Sequence, residues 1–170
     1  MCQTIQIRPA APGDIDRVTT MLGRSYRALL APDYHPAVLH EALPLLAQAR
    51  PSLMNCGTYF LAVEEDGRVV AAGGWTDFSP HGRPGRRGEG HVRHVAVDPD
   101  QARRGLGRAL MRRVLSSAEA AGVTLLRCQS TLTAVPFYRD LGFVPTGRIE
   151  VRLSPGVYFP AVQMRRGAAS

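Results

Sequence analysis

Residues 103–108, Arg-Arg-Gly-Leu-Gly-Arg, combine features that suit them to binding a phosphate group. The segment follows an apolar strand pattern and opens an amphipathic helical pattern. Its backbone N–H groups therefore fall in the first turn of a helix, where they have no intrahelical partner and the helix dipole is positive. Gly105 and Gly107 let an anion approach that backbone without meeting a Cβ, and the three arginines add donors suited to phosphate oxygens. The segment predicts a site for an anionic ligand, most simply a pyrophosphate.

The Gly-x-Gly pair does not extend to the dinucleotide-binding fingerprint of a Rossmann fold. That fingerprint needs a third small residue, and Leu110 stands in its place. A seven-residue connection also separates the glycines from the preceding strand, where the fingerprint requires a tight turn. A Rossmann site is therefore set aside.

The charge of the chain limits its chemistry. The 170 residues carry a formal net charge of +7, and all 21 basic residues are arginine. The lack of lysine excludes Schiff-base chemistry and a Walker-type phosphate loop. Arginine is dense only at 83–93 and 103–113, with few aromatic residues between, which favours a compact polyanionic ligand over a nucleic-acid strand. A nucleic-acid binder remains a distant alternative.

The length fits one domain over residues 1–166, followed by a short tail at 167–170. The three cysteines are far apart, odd in number and without Cys-x-x-Cys spacing, so neither a disulfide framework nor a metal site is expected. No apolar run approaches the ~20 residues that span a bilayer, and the first residues do not read as a signal peptide. We therefore expect a cytoplasmic protein without membrane contact.

The elements that must position residues 103–108 follow from periodicity and turn residues. The helices are predicted at 13–31, 36–49, 105–121 and 134–141. The strands are predicted at 4–8, 57–64, 68–76, 91–97, 124–129, 143–153 and 157–166, with a turn at Glu65-Asp66-Gly67 and a basic loop at 77–90. The order β-α-α-β-β-β-α-β-α-β-β predicts an α/β protein, a mixed sheet of α+β type with helices on both faces.

Two motifs at fixed separation resemble a known family. Ala-Arg-Arg-Gly-Leu-Gly-Arg-Ala-Leu at 102–110 is followed about thirty residues later by Ala-Val-Pro-Phe-Tyr-Arg-Asp-Leu-Gly-Phe at 134–143. Together with Ile-Arg-Pro-Ala-Ala-Pro-Gly-Asp at 7–14, they look like the GNAT superfamily of acetyl-CoA-dependent N-acetyltransferases. The resemblance implies the acyl-CoA N-acyltransferase fold, a mostly antiparallel sheet of about seven strands in which 91–97 and 124–129 splay apart.

The chain departs from the family pattern at two positions. Ala102 stands where the phosphate loop commonly has Arg or Gln, which removes one side-chain contact but leaves the backbone N–H groups intact. Thr133 stands where an Asn is common, and a hydroxyl donates only one hydrogen bond where an amide makes paired contacts. Neither change is expected to disable the site.

The resemblance implies acetyl-CoA as co-substrate and direct attack by an amine, with no covalent enzyme intermediate. It implies that Tyr138 is the general acid for the departing thiolate, because a phenol matches a thiol in acidity. It also implies an amine acceptor, either a small molecule or a peptide, and the family often forms homodimers. A non-catalytic acyl-CoA sensor on the same fold is the alternative. The implied cofactor-binding residues are Val95, Ala96, Val97, Arg103, Arg104, Gly105, Leu106, Gly107, Arg108, Thr133 and Tyr138.

The general base is less constrained, since any carboxylate or imidazole near the amine could remove its proton. Glu89 is our first candidate and His91 our second, although each residue taken singly is more often a surface residue than a base. Strand alternation predicts that both lie on one face, while His94 lies on the other face together with Val92 and Ala96.

Overall fold

The computed structural model describes residues 4–78 and 85–167. The predicted loop at 77–90 is therefore covered only at its two ends, since 79–84 lie outside the described residues. Most of the predicted C-terminal tail, 168–170, also lies outside them.

A seven-stranded sheet runs through the protein in the order β1-β2-β3-β4-β5-β7-β6. Only β4 and β5 pair in parallel among the described strands, so the predicted mostly antiparallel mixed sheet is confirmed. The three-residue turn at Glu65-Asp66-Gly67 closes the hairpin as predicted, with the Glu64 N–H donating to the Arg68 carbonyl. The strands are β1 Ile5–Pro9, β2 Tyr59–Glu64, β3 Val69–Thr76, β4 Glu89–Val97, β5 Leu125–Thr131, β6 Val144–Ser154 and β7 Val157–Gly167.

The helices are α1 Ile15–Leu29, α2 Pro36–Leu46, α3 Pro51–Asn55, α4 Leu106–Ala120 and α5 Val135–Asp140. The short α3 was not predicted, and α2 ends before the predicted 49. Pro51 accounts for the start of α3, because it keeps Arg50 extended (φ −94°, ψ 130°) and occupies the first turn of that helix. Among the described residues, no helix has the length and apolar character needed to span a bilayer.

Helices cover both faces of the sheet, as the sequence predicts. On one face α4 buries an apolar stripe, and the Trp75 indole N–H donates to Ser117 Oγ at 3.1 Å. On the other face α1 packs Val18 and Leu22 against Leu61 of β2. The α4 side chains in that stripe are Leu110, Met111, Val114, Leu115 and Ala118. The central strand β4 is therefore held between α4 on one face of the sheet and α1 on the other.

A β-bulge interrupts β4. Ala96 pairs with Ala72 and Arg93 pairs with Gly74, so His94 and Val95 together oppose Gly73. Gly73 leaves the room that the bulge requires, because a Cβ there would lie 2.9 Å from Val95 Cγ2. His94 takes the uncommon positive φ of 40°.

The bulge reverses which side chains share a face. Val92 packs in the cluster under α4, and Ala96 packs in the cluster under α1. The expectation that Val92, His94 and Ala96 lie on one face is therefore wrong. Simple alternation fails here because one extra residue shifts the two-residue period.

Candidate active site

A cleft opens where β4 and β5 separate. The two strands pair only through Glu89–His91 and Leu125–Arg127. Beyond His91 the facing edges of the strands part, and a cavity of about 160 Å³ lies between them. It is lined by Tyr26, Leu46, Arg50, Val92, Arg93, His94, Val95, Cys128, Gln129, Thr131, Ala134, Tyr138, Val151, Leu153, Phe159 and Ala161. The expected splay of the two strands is present.

The first turn of α4 lies beside the end of β4 and presents open backbone to solvent. Gly105 caps the helix in the left-handed conformation (φ 79°), and nothing lies within 4 Å of where its Cβ would be. The first intrahelical bond runs from the Ala109 N–H to the Gly105 carbonyl at 3.0 Å, so the three preceding N–H groups have no intrahelical acceptor. Arg103 and Arg104 flank this turn and are exposed. The arrangement suits an anion bound in front of the helix.

The lack of a Cβ at Gly107 serves packing inside the protein, while its N–H is one of the three without an intrahelical acceptor. A Cβ at this position would lie 3.1 Å from Val97 Cγ2 and 3.3 Å from Phe137 Cε2. Gly107 is buried, so its missing Cβ allows the start of α4 to pack closely against β4 and α5. Leu106 is half-buried beside it.

Two other predicted cofactor residues already have partners in the structure. Arg108 lies 3.6 Å from the Asp140 carboxylate, and both side chains are exposed. The Thr133 hydroxyl donates to Asp33 Oδ2 at 2.7 Å. Exposed pairs of this kind are worth about 1 kcal/mol or less, so both side chains can exchange them for a ligand.

Tyr138 lies within the cleft and is 5% exposed. Cys128 of β5 lines the same cleft, and each of the two side chains shifts the pKa of the other. Burial raises the pKa of Tyr138 well above its ordinary value, and the Cys128 neighbour raises it further. Burial also raises the pKa of the Cys128 thiol to about 12. The phenol therefore keeps its proton across the physiological range, and Cys128 is not a nucleophile.

The two candidate bases lie at the closed end of the cleft, where β4 and β5 still pair. The Glu89 carboxylate is 3.4 Å from the Arg127 guanidinium. His91 pairs in register with Arg127. Among the described residues that line the cleft, neither Glu89 nor His91 occurs.

His94, by contrast, lines the cleft at the bulge. Burial lowers the pKa of His94 to about 4, and the charges of Arg93 and Arg50 lower it further. Its imidazole is therefore neutral at physiological pH. The sequence could not assign His94 to the cleft, because its orientation depends on the bulge.

Tyr34 is anchored to β7 and to the residue that follows β5, next to the cleft. Its hydroxyl accepts from the Leu132 N–H at 2.8 Å and donates to the Pro160 carbonyl at 2.7 Å. Its ring stacks on Phe159 with 4.4 Å between centroids. This residue ties the connection between α1 and α2 to the sheet, so that the first two helices cover one side of the cleft.

Comparison with known proteins matches these features to one family. The family model for the acetyltransferase (GNAT) domain matches residues 30–160. A GNAT-family structure from Rhodopseudomonas palustris superposes with a TM-score of 0.77 at 22% identity, covering 99% of each chain. The PaiA N-acetyltransferase of Thermoplasma acidophilum, solved in complex with coenzyme A, gives a TM-score of 0.71 at 13% identity over 97% of this chain and 99% of that one.

Two curated relatives are similar in sequence. Mycothiol acetyltransferase of Saccharomonospora viridis is 33% identical over 146 residues, which is 82% of this chain and 45% of that protein. The ribosomal protein bS18-alanine N-acetyltransferase of Escherichia coli is 42% identical over 53 residues, 29% of this chain and 36% of that protein. The matched stretches thus span less than half the length of these relatives. On the family match, the chain belongs to the GNAT acetyltransferase family.

Proposed function

We propose that this protein transfers an acetyl group from acetyl-CoA to an amine by direct attack. The observation that carries the proposal is the cleft between β4 and β5, with the first turn of α4 at one end and a protonated phenol inside it. These are the parts that such a transfer requires. They are an anion site for the donor, a channel for its extended arm and an acid for its leaving group.

Residues 103–108 would hold the donor's pyrophosphate. Gly105 fits this role because its left-handed backbone and open surroundings leave room in front of the N–H groups of Leu106 and Arg108. Arg103 and Arg104 would add charge-assisted hydrogen bonds from solvent-exposed positions.

The free edge of β4 would hold the extended arm of the donor. Residues 92–97 have no β5 partner on the side that faces the cleft. Val95, Ala96 and Val97 can therefore pair with an extended ligand as a strand would. A backbone N–H on this edge can also polarise the thioester carbonyl as negative charge develops there.

Tyr138 would supply a proton to the thiolate of CoA as it leaves. Its raised pKa keeps the phenol protonated before the reaction. The Cys128 thiol is an electrostatic neighbour of the phenol, so the hydroxyl already faces one sulfur, and a leaving thiolate would be a stronger hydrogen-bond acceptor of the same kind.

The acceptor amine must be neutral to attack. Positive charge from Arg93 and Arg50 disfavours an ammonium in the cleft, because like charges lower the pKa of an amine. Of Glu89, His91 and His94, only His94 lines the cleft, and its neutral imidazole would accept a hydrogen bond from the attacking amine. Its pKa of about 4 makes it a weak base, so the released proton would pass on to water.

The proposal is tested by thermal shift with acetyl-CoA, CoA and ATP, followed by release of CoA thiol in the presence of a panel of amines. We expect a concentration-dependent rise in Tm with both CoA species and a much smaller one with ATP, and amine-dependent thiol release. Binding without turnover would instead support an acyl-CoA sensor. A lack of any shift with CoA would refute the anion site at 103–108.

A further inference from the structure

The charge in the cleft is of one sign. Among the described residues that line it, the only formally charged side chains are Arg50 and Arg93, and no carboxylate is present. Arg93 is 4% exposed, whereas Arg50 is exposed at the start of α3. Of the two arginines that line the cleft, Arg93 is therefore buried and Arg50 lies nearer to solvent.

Arg93 is buried without a counter-charge. Its guanidinium donates to Thr76 Oγ1 at 3.3 Å and lies 5.7 Å from the centroid of the Phe78 ring. Among the described residues it forms no ion pair with a carboxylate. The segments outside the described ranges contain no Asp or Glu that could provide one.

Two of the three buried carboxylates among the described residues have a guanidinium partner, whereas the third, Glu64, accepts a 3.2 Å hydrogen bond from the Gln101 side-chain amide. Asp14 is held by Arg8 and Arg17, each at 2.8 Å, and the Asp98 carboxylate lies 2.8 Å from Arg68. Burying a charged group without an opposite charge is costly, and both burial and the nearby Arg50 lower the pKa of Arg93. An anionic group of a bound ligand would supply the opposite charge that Arg93 lacks.

The phosphates of the donor are not suited to supply that anion. They are expected at residues 103–108, beside Val97. Arg93 precedes Val97 by four residues across the bulge, which corresponds to ~10–13 Å along an extended strand. Arg93 also reaches Thr76 and is influenced by Tyr59, so it lies on the α1 face of the sheet, away from α4.

We propose that the acceptor amine carries an anionic group, a carboxylate or a phosphate, that binds Arg93 and Arg50. This rests on the proposed acetyl transfer and narrows its substrate class. A planar guanidinium recognises either group through two parallel hydrogen bonds. The remainder of the acceptor is apolar, because Leu46, Val151, Leu153 and Phe159 line the same cleft.

Matched pairs of acceptors test the charge directly. The carboxylate pair is L-leucine and L-leucinamide, and the phosphate pair is phosphoethanolamine and ethanolamine, each assayed for CoA release. We expect kcat/KM to be at least ~10-fold higher for the anionic member of one pair, which also identifies the anion. L-leucinamide is a stringent control, because its amine is less basic than that of L-leucine. A larger fraction of the leucinamide is therefore neutral and able to attack, which works against the expected preference. Equal or reversed preference in both pairs overturns the inference and leaves acetyl transfer intact.

Substitutions assign the preference to the two arginines. Arg50→Gln and Arg93→Gln should each reduce the anionic-to-neutral ratio of kcat/KM several-fold, whereas Arg93→Lys should restore part of it. Arg112→Gln, on the exposed face of α4, should leave the ratio unchanged. A purely structural role of Arg93 would lower activity toward both members equally. Because Arg50 is exposed, Arg50→Gln should fold. It therefore still tests the proposal if Arg93→Gln does not fold.

A binding measurement separates this inference from the proposed reaction. Calorimetry with CoA present should show N-acetyl-L-leucine binding more tightly than N-acetyl-L-leucinamide, in a manner weakened by Arg50→Gln. Tighter binding of N-acetyl-L-leucine, combined with no CoA release from any amine, would support the anion site and refute the proposed acetyl transfer. Equal affinity of the two products, together with no anionic preference in turnover, would refute the anion site.

Discussion

The Tyr59 hydroxyl donates a 2.8 Å hydrogen bond to the backbone carbonyl of His94. This bond joins β2 to the bulge of β4 across the intervening β3. Tyr59 is buried, so the carbonyl has little access to water. The bond helps to hold His94 at its positive φ and therefore helps to fix the part of β4 that lines the cleft.

Tyr59→Phe should lower the free energy of unfolding by about 1–3 kcal/mol, because it leaves the His94 carbonyl buried without its donor. We also expect a higher KM for the donor, since the edge that would bind it loosens. Denaturant unfolding and initial rates measure the two effects. Tyr158→Phe removes a hydroxyl from a 54% exposed ring and serves as the matched control. A Tyr59 variant as stable as that control would show that the bond does not support the bulge.

Acid should destabilise the protein through His94. The folded chain binds a proton at His94 only near pH 4, whereas the unfolded chain binds one near pH 6.5. Between these values the unfolded state holds more protons, so the free energy of unfolding falls as the pH decreases. The free energy of unfolding falls by about 3 kcal/mol in total as the pH decreases through the range between these two pKa values.

His94→Asn should flatten this dependence, because Asn tolerates a positive φ and does not titrate. Urea unfolding at pH 7, 5.5 and 4.5 measures it, and exposed His40→Asn is the control that should retain the slope. Asp14, whose pKa is held at about 2 by its hydrogen bond to Arg8, acts only below this range. A parental slope in the His94 variant would assign the acid sensitivity to other groups.

Tyr138→Phe should lower kcat by roughly 10²-fold or more while leaving the affinity for acetyl-CoA nearly unchanged, because it removes only the proton donor. Steady-state kinetics and calorimetry measure the two quantities. Cys128→Ala removes the neighbouring thiol but keeps the acid, so it should retain most of the activity. A Tyr138→Phe variant with parental kcat would remove Tyr138 from the mechanism.

Gly105→Glu should abolish CoA binding, because it sets a carboxylate in front of the free N–H groups of α4. Gly122→Glu is the matched control at the other end of the helix region. Gly122 also has a positive φ (84°) and open surroundings, so it incurs a similar strain of ~1–2 kcal/mol. Calorimetry with CoA and a Tm measurement on both variants separate binding from stability. Equal CoA affinities for the two variants would exclude the site at Gly105.

Local patterns were sufficient for most of the framework. The 3.6-residue stripe of Leu110, Val114 and Ala118 predicts α4, and Gly122 predicts its end, because burial of one face and left-handed capping leave direct traces in the residue types. The hairpin at 59–76 follows equally from strand alternation and the Asp66-Gly67 turn. These elements are determined by residues that are close together in the sequence.

The sequence by itself determined the fold class and the family resemblance, and it predicts the anion loop at 103–108. The tertiary structure alone decided which side chains face the cleft. The bulge at His94 put Val92 and Ala96 on opposite faces, and Gly107 proved to be packed against Phe137. Arg50 and Arg93, 43 positions apart in the chain, meet in one cleft. The reason is physical: a bulge depends on the register of the neighbouring strand and a cleft on where two strands separate, and neither is encoded in local periodicity.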